Sequence, residues 1–225
     1  MDAARLARGL SRAGIVFGGA FPPNFERWPL VVEGVVESIQ MATLSTALGV
    51  LIGIPVAVLA ARNFAPPPAY AAGRGLITLA RTFHEIIVAI LFVKAVGFGP
   101  FAGMLTLTWN SIGFFSKLLA EQIENIDRGQ VEAIRATGAS RGQVLLFGVL
   151  PQVLPRIVGL TIYQWDVHLR QSTIIGIVGA GGIGTTLYNS FARYDYDFSL
   201  AILLVIVAIV LLGEGVSAWA RTRIQ

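Results

Sequence analysis

The side chains of this 225-residue chain that could do chemistry are few, and most sit inside apolar stretches. Arg81, His84 and Glu85 cluster in one stretch, and Asp166 and Arg170 lie four apart in another. Charges embedded in apolar segments are functional candidates because placing them there is costly. The i,i+4 spacing lets Arg81–Glu85 and Asp166–Arg170 each neutralise itself on one helix face. For Arg81–Glu85 a structural pairing is expected, with Arg81 able to snorkel from a helix end. His84 beside it is expected to be a polar packing residue or a ligand contact. Arg170 stands just before a glycine cluster. Its planar guanidinium could grip an oxyanion through paired hydrogen bonds, with Asp166 holding it in place.

Other chemistries are excluded. The chain has no cysteine and two histidines, His84 and His168, on different stretches, so no metal site is expected. No nucleophile stands with a base and an orienting acid. Gly179-Ala180-Gly181-Gly182-Ile183-Gly184 satisfies the dinucleotide pattern G-x-G-x-x-G. That reading requires a preceding strand and a βαβ unit, and the context here is an apolar helix. The glycines are expected to serve close backbone packing or gating near an outer mouth. The only lysines, Lys94 and Lys117, lack the glycine that precedes the lysine of a phosphate-binding loop. Any ATP and magnesium would therefore be bound by a partner, and no cofactor is expected in this chain.

These residues must be positioned by membrane helices. The chain is 55% hydrophobic and 13% charged, with mean hydropathy +0.70. Five spans are expected. The first covers Ser38 to Ala61, the second runs from about Gly75 to Val96, and the third covers Phe101 to Leu119. The fourth starts near Val144 and the fifth covers Phe198 to Ala220. About 20 apolar residues rising 1.5 Å each cross roughly 30 Å of hydrocarbon. Arg62, Arg74, Lys117, Arg128, Arg135, Arg141, Arg221 and Arg223 fall on one side of alternating spans, against Lys94 and Arg193 on the other. The positive-inside rule makes the first side cytoplasmic. The formal charge of +4 comes from these flanks and not from a basic patch with interleaved aromatics, which argues against nucleic-acid binding. Arg5, Arg8 and Arg12 break the rule, because five spans send residues 1–33 outside. Either this amphipathic segment lies flat on the outer interface, or an earlier helix is missing.

The central charged loop carries the strongest pattern. It reads Val131-Glu132-Ala133-Ile134-Arg135-Ala136-Thr137-Gly138-Ala139-Ser140-Arg141, followed by Leu150-Pro151. Glu132, Arg135 and the alanines suit a short amphipathic helix over about 129–141, and Gly138 can supply the positive φ that ends it. The stretch resembles the Glu-Ala-Ala…Gly…Leu-Pro signature of permeases of binding-protein-dependent ABC importers. Ile134 replaces the second alanine, and Gly148 replaces the usual isoleucine two positions before the leucine. Val96 to Gly103, Val131 to Pro155 and Trp165 to Gly184 look most like the phosphonate branch. Members of that branch commonly carry an additional N-terminal helix.

The resemblance implies an all-α type I importer permease fold with a transmembrane domain over 34–225. It implies that Glu132, Ala133, Arg135, Gly138, Ala139, Leu150 and Pro151 couple the chain to a separate ATPase. Gly179, Gly181, Gly182 and Gly184 would lie at the outer gate, and Arg170, Asp166 and His84 would border the substrate path. The implied partners are ABC ATPase subunits, an extracytoplasmic binding protein, a second permease (a copy or a paralogue) and the lipids of a bacterial inner membrane. A permease for methionine or another small polar solute is the alternative within the fold. An ATP-independent secondary transporter is the alternative outside it, although no inverted repeat relates the halves.

Overall fold

The computed structural model describes residues 13–224, so Arg5, Arg8 and Arg12 lie outside the described residues. The described chain is helical without strands: α1 (13–20), α2 (Trp28–Leu59), α3 (Pro67–Thr82), α4 (Glu85–Val96), α5 (Pro100–Glu124) and α6 (Arg128–Ala136). After α7 (Arg141–Gln143) and a π-helical turn (Val144–Val149) come α8 (Leu150–Gly176), α9 (Ile183–Ala192) and α10 (Tyr196–Ile224). The boundary expected at residue 33 falls inside α2, which runs unbroken past it.

Helix α5 is the axis of the bundle. Its Leu107, Ser111, Phe115, Ser116 and Leu119 are buried, and α2 crosses it at close range. Ser45 Oγ donates to the Met104 carbonyl at 3.0 Å, and Ser116 Oγ donates to the Gly53 carbonyl at 3.0 Å. A Cβ on Gly49 would collide with Ser111. Small and hydroxyl-bearing faces let helices approach where lipid offers no hydrophobic drive between them.

The five expected spans differ in character. Among the described residues, three helical stretches are long and apolar enough to cross a membrane: Trp28–Leu59, Arg141–Gly176 and Tyr196–Ala220. The bent pair α3–α4 makes a fourth if counted as one span. Helix α5 is long enough, but its polar residues face protein. The second expected span is broken: α3 and α4 meet at 91°. Phe83 (ψ 136°) and His84 (ψ 143°) are extended between them.

Before α2, the chain is clasped to the start of α10. Arg27 pairs with Asp195 at 2.8 Å and lies 4.1 Å over the Phe198 ring, and Asn24 Nδ2 donates to Asp197 Oδ2 at 3.2 Å. This clasp is at the glycine-rich end of the bundle, opposite α6.

Candidate functional site

Helix α6 is built for presentation. The Asp127 carboxylate caps it by accepting the Gly129 amide at 2.8 Å, and Gly138 ends it at φ +80° as expected. Ser140 and Gln143 then form a capping box that starts α7. Val131 is buried and Ile134 half-buried, both packed on the π-helical turn, where a Cβ on Gly148 would lie 3.3 Å from Ile134 Cδ1. The motif's two departures are thus partners: the larger residue at 134 fills the space left by the missing side chain at 148.

The opposite face of α6 is bare. Gly129, Glu132, Ala133 and Ala136 are exposed, and Glu132 has no side-chain partner. Small residues beside a free carboxylate allow close approach by another surface. Arg135 lies 5.9 Å over the Phe64 ring, beside a cavity of about 720 Å³ that also reaches Ala139 and Arg141.

Leu150-Pro151 follows the π turn, and the Leu150 amide reaches back to the Leu145 carbonyl. Pro151 has no N–H, so a wide turn here costs the helix one fewer bond than it would elsewhere. Gln152, which sequence reasoning missed, accepts the Asp127 amide through Oε1 at 2.9 Å and donates through Nε2 to the Gly148 carbonyl at 2.6 Å. It ties the start of α6 to the start of α8. Nearby, Glu124 accepts from Arg74 at 2.9 Å and from the Arg62 amide at 2.8 Å.

At the other end, Gly179, Gly181 and Gly182 have φ of +87°, +82° and +75°. A Cβ on Gly181 would stand 2.6 Å from the Pro100 nitrogen, and one on Gly184 would strike the Thr173 carbonyl. The Gly182 and Ile183 amides donate to Glu37 and Ser38 of α2 at 2.9 and 3.0 Å. These glycines bring the start of α9 against the α4–α5 turn, α8 and α2. With no strand among the described residues, the dinucleotide pattern is accounted for by packing. Gly181→Ala combines left-handed strain with a backbone clash. It should lower the melting temperature of the purified permease by several degrees, as read by differential scanning fluorimetry.

The residues expected along the substrate path separate. Arg170 and Asp166 pair at 2.7 Å as expected, with side chains 41% and 7% exposed. Asp166 Oδ1 is buried without a partner and faces Gly213 of α10. His84 lies elsewhere, with Arg81 and Glu85 around the α3–α4 break. The Arg81–Glu85 pairing does not form, because the break takes the two residues off a common helix. Glu85 instead accepts Asn110 Nδ2 at 3.1 Å and Gln171 Nε2. His168 is fully buried, with Nδ1 2.9 Å from Thr46 Oγ1 and Nε2 2.8 Å from Gln164 Nε2. Thr46 donates its hydroxyl hydrogen to the Ala42 carbonyl at 2.7 Å, so its oxygen accepts from His168 Nδ1 and the ring is a strut between α2 and α8.

A family model described as "Binding-protein-dependent transport system inner membrane component" matches residues 53–225. The chain belongs to this permease family. It is a multi-pass membrane protein. The phosphite transport system permease protein PtxC of Stutzerimonas stutzeri is 41% identical over 226 residues, covering 100% of this chain and 82% of that protein. The phosphate-import permease protein PhnE of Mycolicibacterium smegmatis is 41% identical over 211 residues, or 93% of this chain. The match spans only 40% of that relative's length. Among solved structures, the inward-facing MetNI methionine ABC transporter superposes with a TM-score of 0.78 at 25% identity, covering 90% of this chain and 99% of that one. The fold is the type I ABC importer permease fold.

Proposed function

We propose that this chain is the permease of an ATP-driven importer for a small phosphorus oxyanion: phosphonate, phosphite or phosphate. The observation that carries the coupling half of this reading is α6, a capped helix whose outward face offers Glu132, Ala133 and Ala136. Its inner face rests on the root of α8, so a push on α6 reaches a membrane-crossing helix directly. The substrate half is supported by 41% identity to phosphorus-oxyanion permeases, against 25% to the methionine transporter.

In this reading α6 faces the bacterial cytoplasm and the glycine-rich end faces out, in agreement with the basic flanks. Two permeases, copies or paralogues, enclose the path. Two ATPase subunits bind ATP and magnesium, and their closure moves α6 and opens the outer mouth to a docked binding protein. Hydrolysis then returns the path to the inward state. Glu132, Ala133, Arg135, Gly138 and Ala139 form the coupling element, with Leu150 and Pro151 at its root. Gly179, Gly181, Gly182 and Gly184 shape the outer gate, and the Asp166–Arg170 pair on α8 stands near the path.

Proteoliposomes with the permease, its ATPase and its binding protein test this. Uptake of phosphite, phosphate or methylphosphonate should require ATP and all three components. Uptake that persists without the ATPase would sink the importer reading, and uptake of methionine in place of these anions would sink the substrate.

A further inference from the structure

The break between α3 and α4 leaves Arg81 without an ion pair at mid-height of the bundle. A Cβ on Gly113 of α5 would lie 2.8 Å from Arg81 Cγ and 3.1 Å from Ala80 Cβ, so Arg81 is level with Gly113. Gly113 comes 13 residues after Pro100 and 11 before Glu124, the ends of α5. At about 1.5 Å per residue it stands roughly 16–20 Å from either end. The expected snorkelling of Arg81 from a helix end is therefore unavailable.

Arg81 is exposed and makes no ion pair. Among the described residues the ion pairs are Arg27–Asp195, Arg74–Glu124, Lys117–Glu121 and Arg170–Asp166. A guanidinium without an ion pair at mid-height of a membrane bundle is costly against lipid and calls for a water-filled path or an anionic partner.

The break itself forms a cavity of about 380 Å³ lined by Arg81, Thr82, His84, Glu85, Asn110 and Phe114. The Ile86 amide donates to His84 Nδ1 at 3.4 Å, which leaves Nε2 as the ring's N–H donor. Glu85 Oε2 is occupied by the Asn110 and Gln171 amides, which fasten α4 to α5 and α8.

We propose that this cavity is an oxyanion way-station on the transport path, with Arg81 as counter-ion and His84 as a second donor. The volume suits a small tetrahedral anion with some of its water. Arg supplies the fork that matches two oxygens of a phosphoryl group. The neighbouring Glu85 carboxylate weakens the site, which a transporter needs, because an ion held too tightly is not released. The proposal rests on the importer reading above and adds to it a specific station within the membrane.

The test uses the full complex in proteoliposomes, with phosphite, phosphate and methylphosphonate as probes. Losing a charge-assisted contact of this kind, Arg81→Ala should cut uptake about tenfold or more. ATP hydrolysis stimulated by the loaded binding protein should stay within about twofold, since the coupling helix is untouched. Arg81→Lys, which keeps the charge without the fork, should fall between wild type and the alanine variant. His84→Ala, at an exposed position, should lower uptake with the complex intact, and it decides the matter if Arg81→Ala does not assemble. Uptake by Arg81→Ala within twofold of wild type overturns the way-station and leaves the importer reading standing. Parallel loss of uptake and stimulated hydrolysis makes Arg81 structural and also overturns it, as does unchanged uptake by His84→Ala where that variant decides. A wild-type complex that moves none of the three anions overturns the substrate reading and the way-station together.

Discussion

Glu132→Lys should abolish uptake while the permease still reaches the membrane in normal amount. Glu132 is exposed on α6 and has no side-chain partner, so its replacement leaves no buried group unsatisfied. Surface changes of that kind usually shift stability by no more than about 0.5 kcal/mol. The effect on docking is of another size. Arg128 lies one turn before Glu132 and Arg135 most of a turn after it, so lysine at 132 turns a mixed surface into a run of three cations. Close charge pairs at interfaces couple by about 1.5–7 kcal/mol, a tenfold loss of affinity at the low end and far more at the high end. The readouts are ATPase co-purified with tagged permease, and uptake in proteoliposomes. Glu132→Gln, which keeps the shape without the charge, should be intermediate. Normal uptake by the lysine variant would remove α6 from the coupling role.

The sequence carried the start and the terminating glycine of α6 because these signals are local, although the helix ends at Ala136 and not near 141. Asp127 before the helix, the alanines within it and Gly138 after it each act through backbone geometry that neighbouring residues determine. The same holds for Pro66-Pro67-Pro68, which supplies the N-cap and first turn of α3. The turn at Phe83-His84 was not legible, since neither glycine nor proline marks it and the apolar pattern runs through. What stands at that turn is tertiary: Glu85 finds Asn110 25 residues away and Gln171 86 residues away. An i,i+4 rule applied to Arg81 and Glu85 assumed a continuous helix, and so it paired two residues that the break separates. Asp166 and Arg170, on an unbroken helix, obeyed the same rule. Helix α5 was read as an ordinary span because hydropathy counts Thr106, Ser111 and Ser116 as losses, whereas buried between helices they are contacts. The role of His168 was not legible either, because Thr46 reaches its Nδ1 from 122 residues away.

The second large effect lies beneath α6. Gly148→Ile places a branched side chain where an ideal Cβ already comes within 3.3 Å of Ile134 Cδ1 and 3.6 Å of Val131 Cα. Overpacking of this kind costs about 1–3 kcal/mol, and here the backbone of α6 is among the atoms that must yield. The helix would be lifted from the π-helical turn and drawn against the Gln152 bonds that fasten its start. Uptake should fall by an order of magnitude or more, and less ATPase should co-purify. Ile134→Ala alone should be milder: it opens a space at a half-buried position, where the cost stays below the 2–5 kcal/mol of a full core truncation. Combining the two restores the usual residues of the family signature at both positions, so the double variant should recover most of the uptake lost by Gly148→Ile. The cycle should show a coupling within the range of about 0.5–3 kcal/mol found for residues in contact, with the second change improving on the first. Additive losses would mean that Ile134 and Gly148 do not share one space. The fit between α6 and the root of α8 would then have to rest on Val131 and the Asp127–Gln152 hydrogen bond.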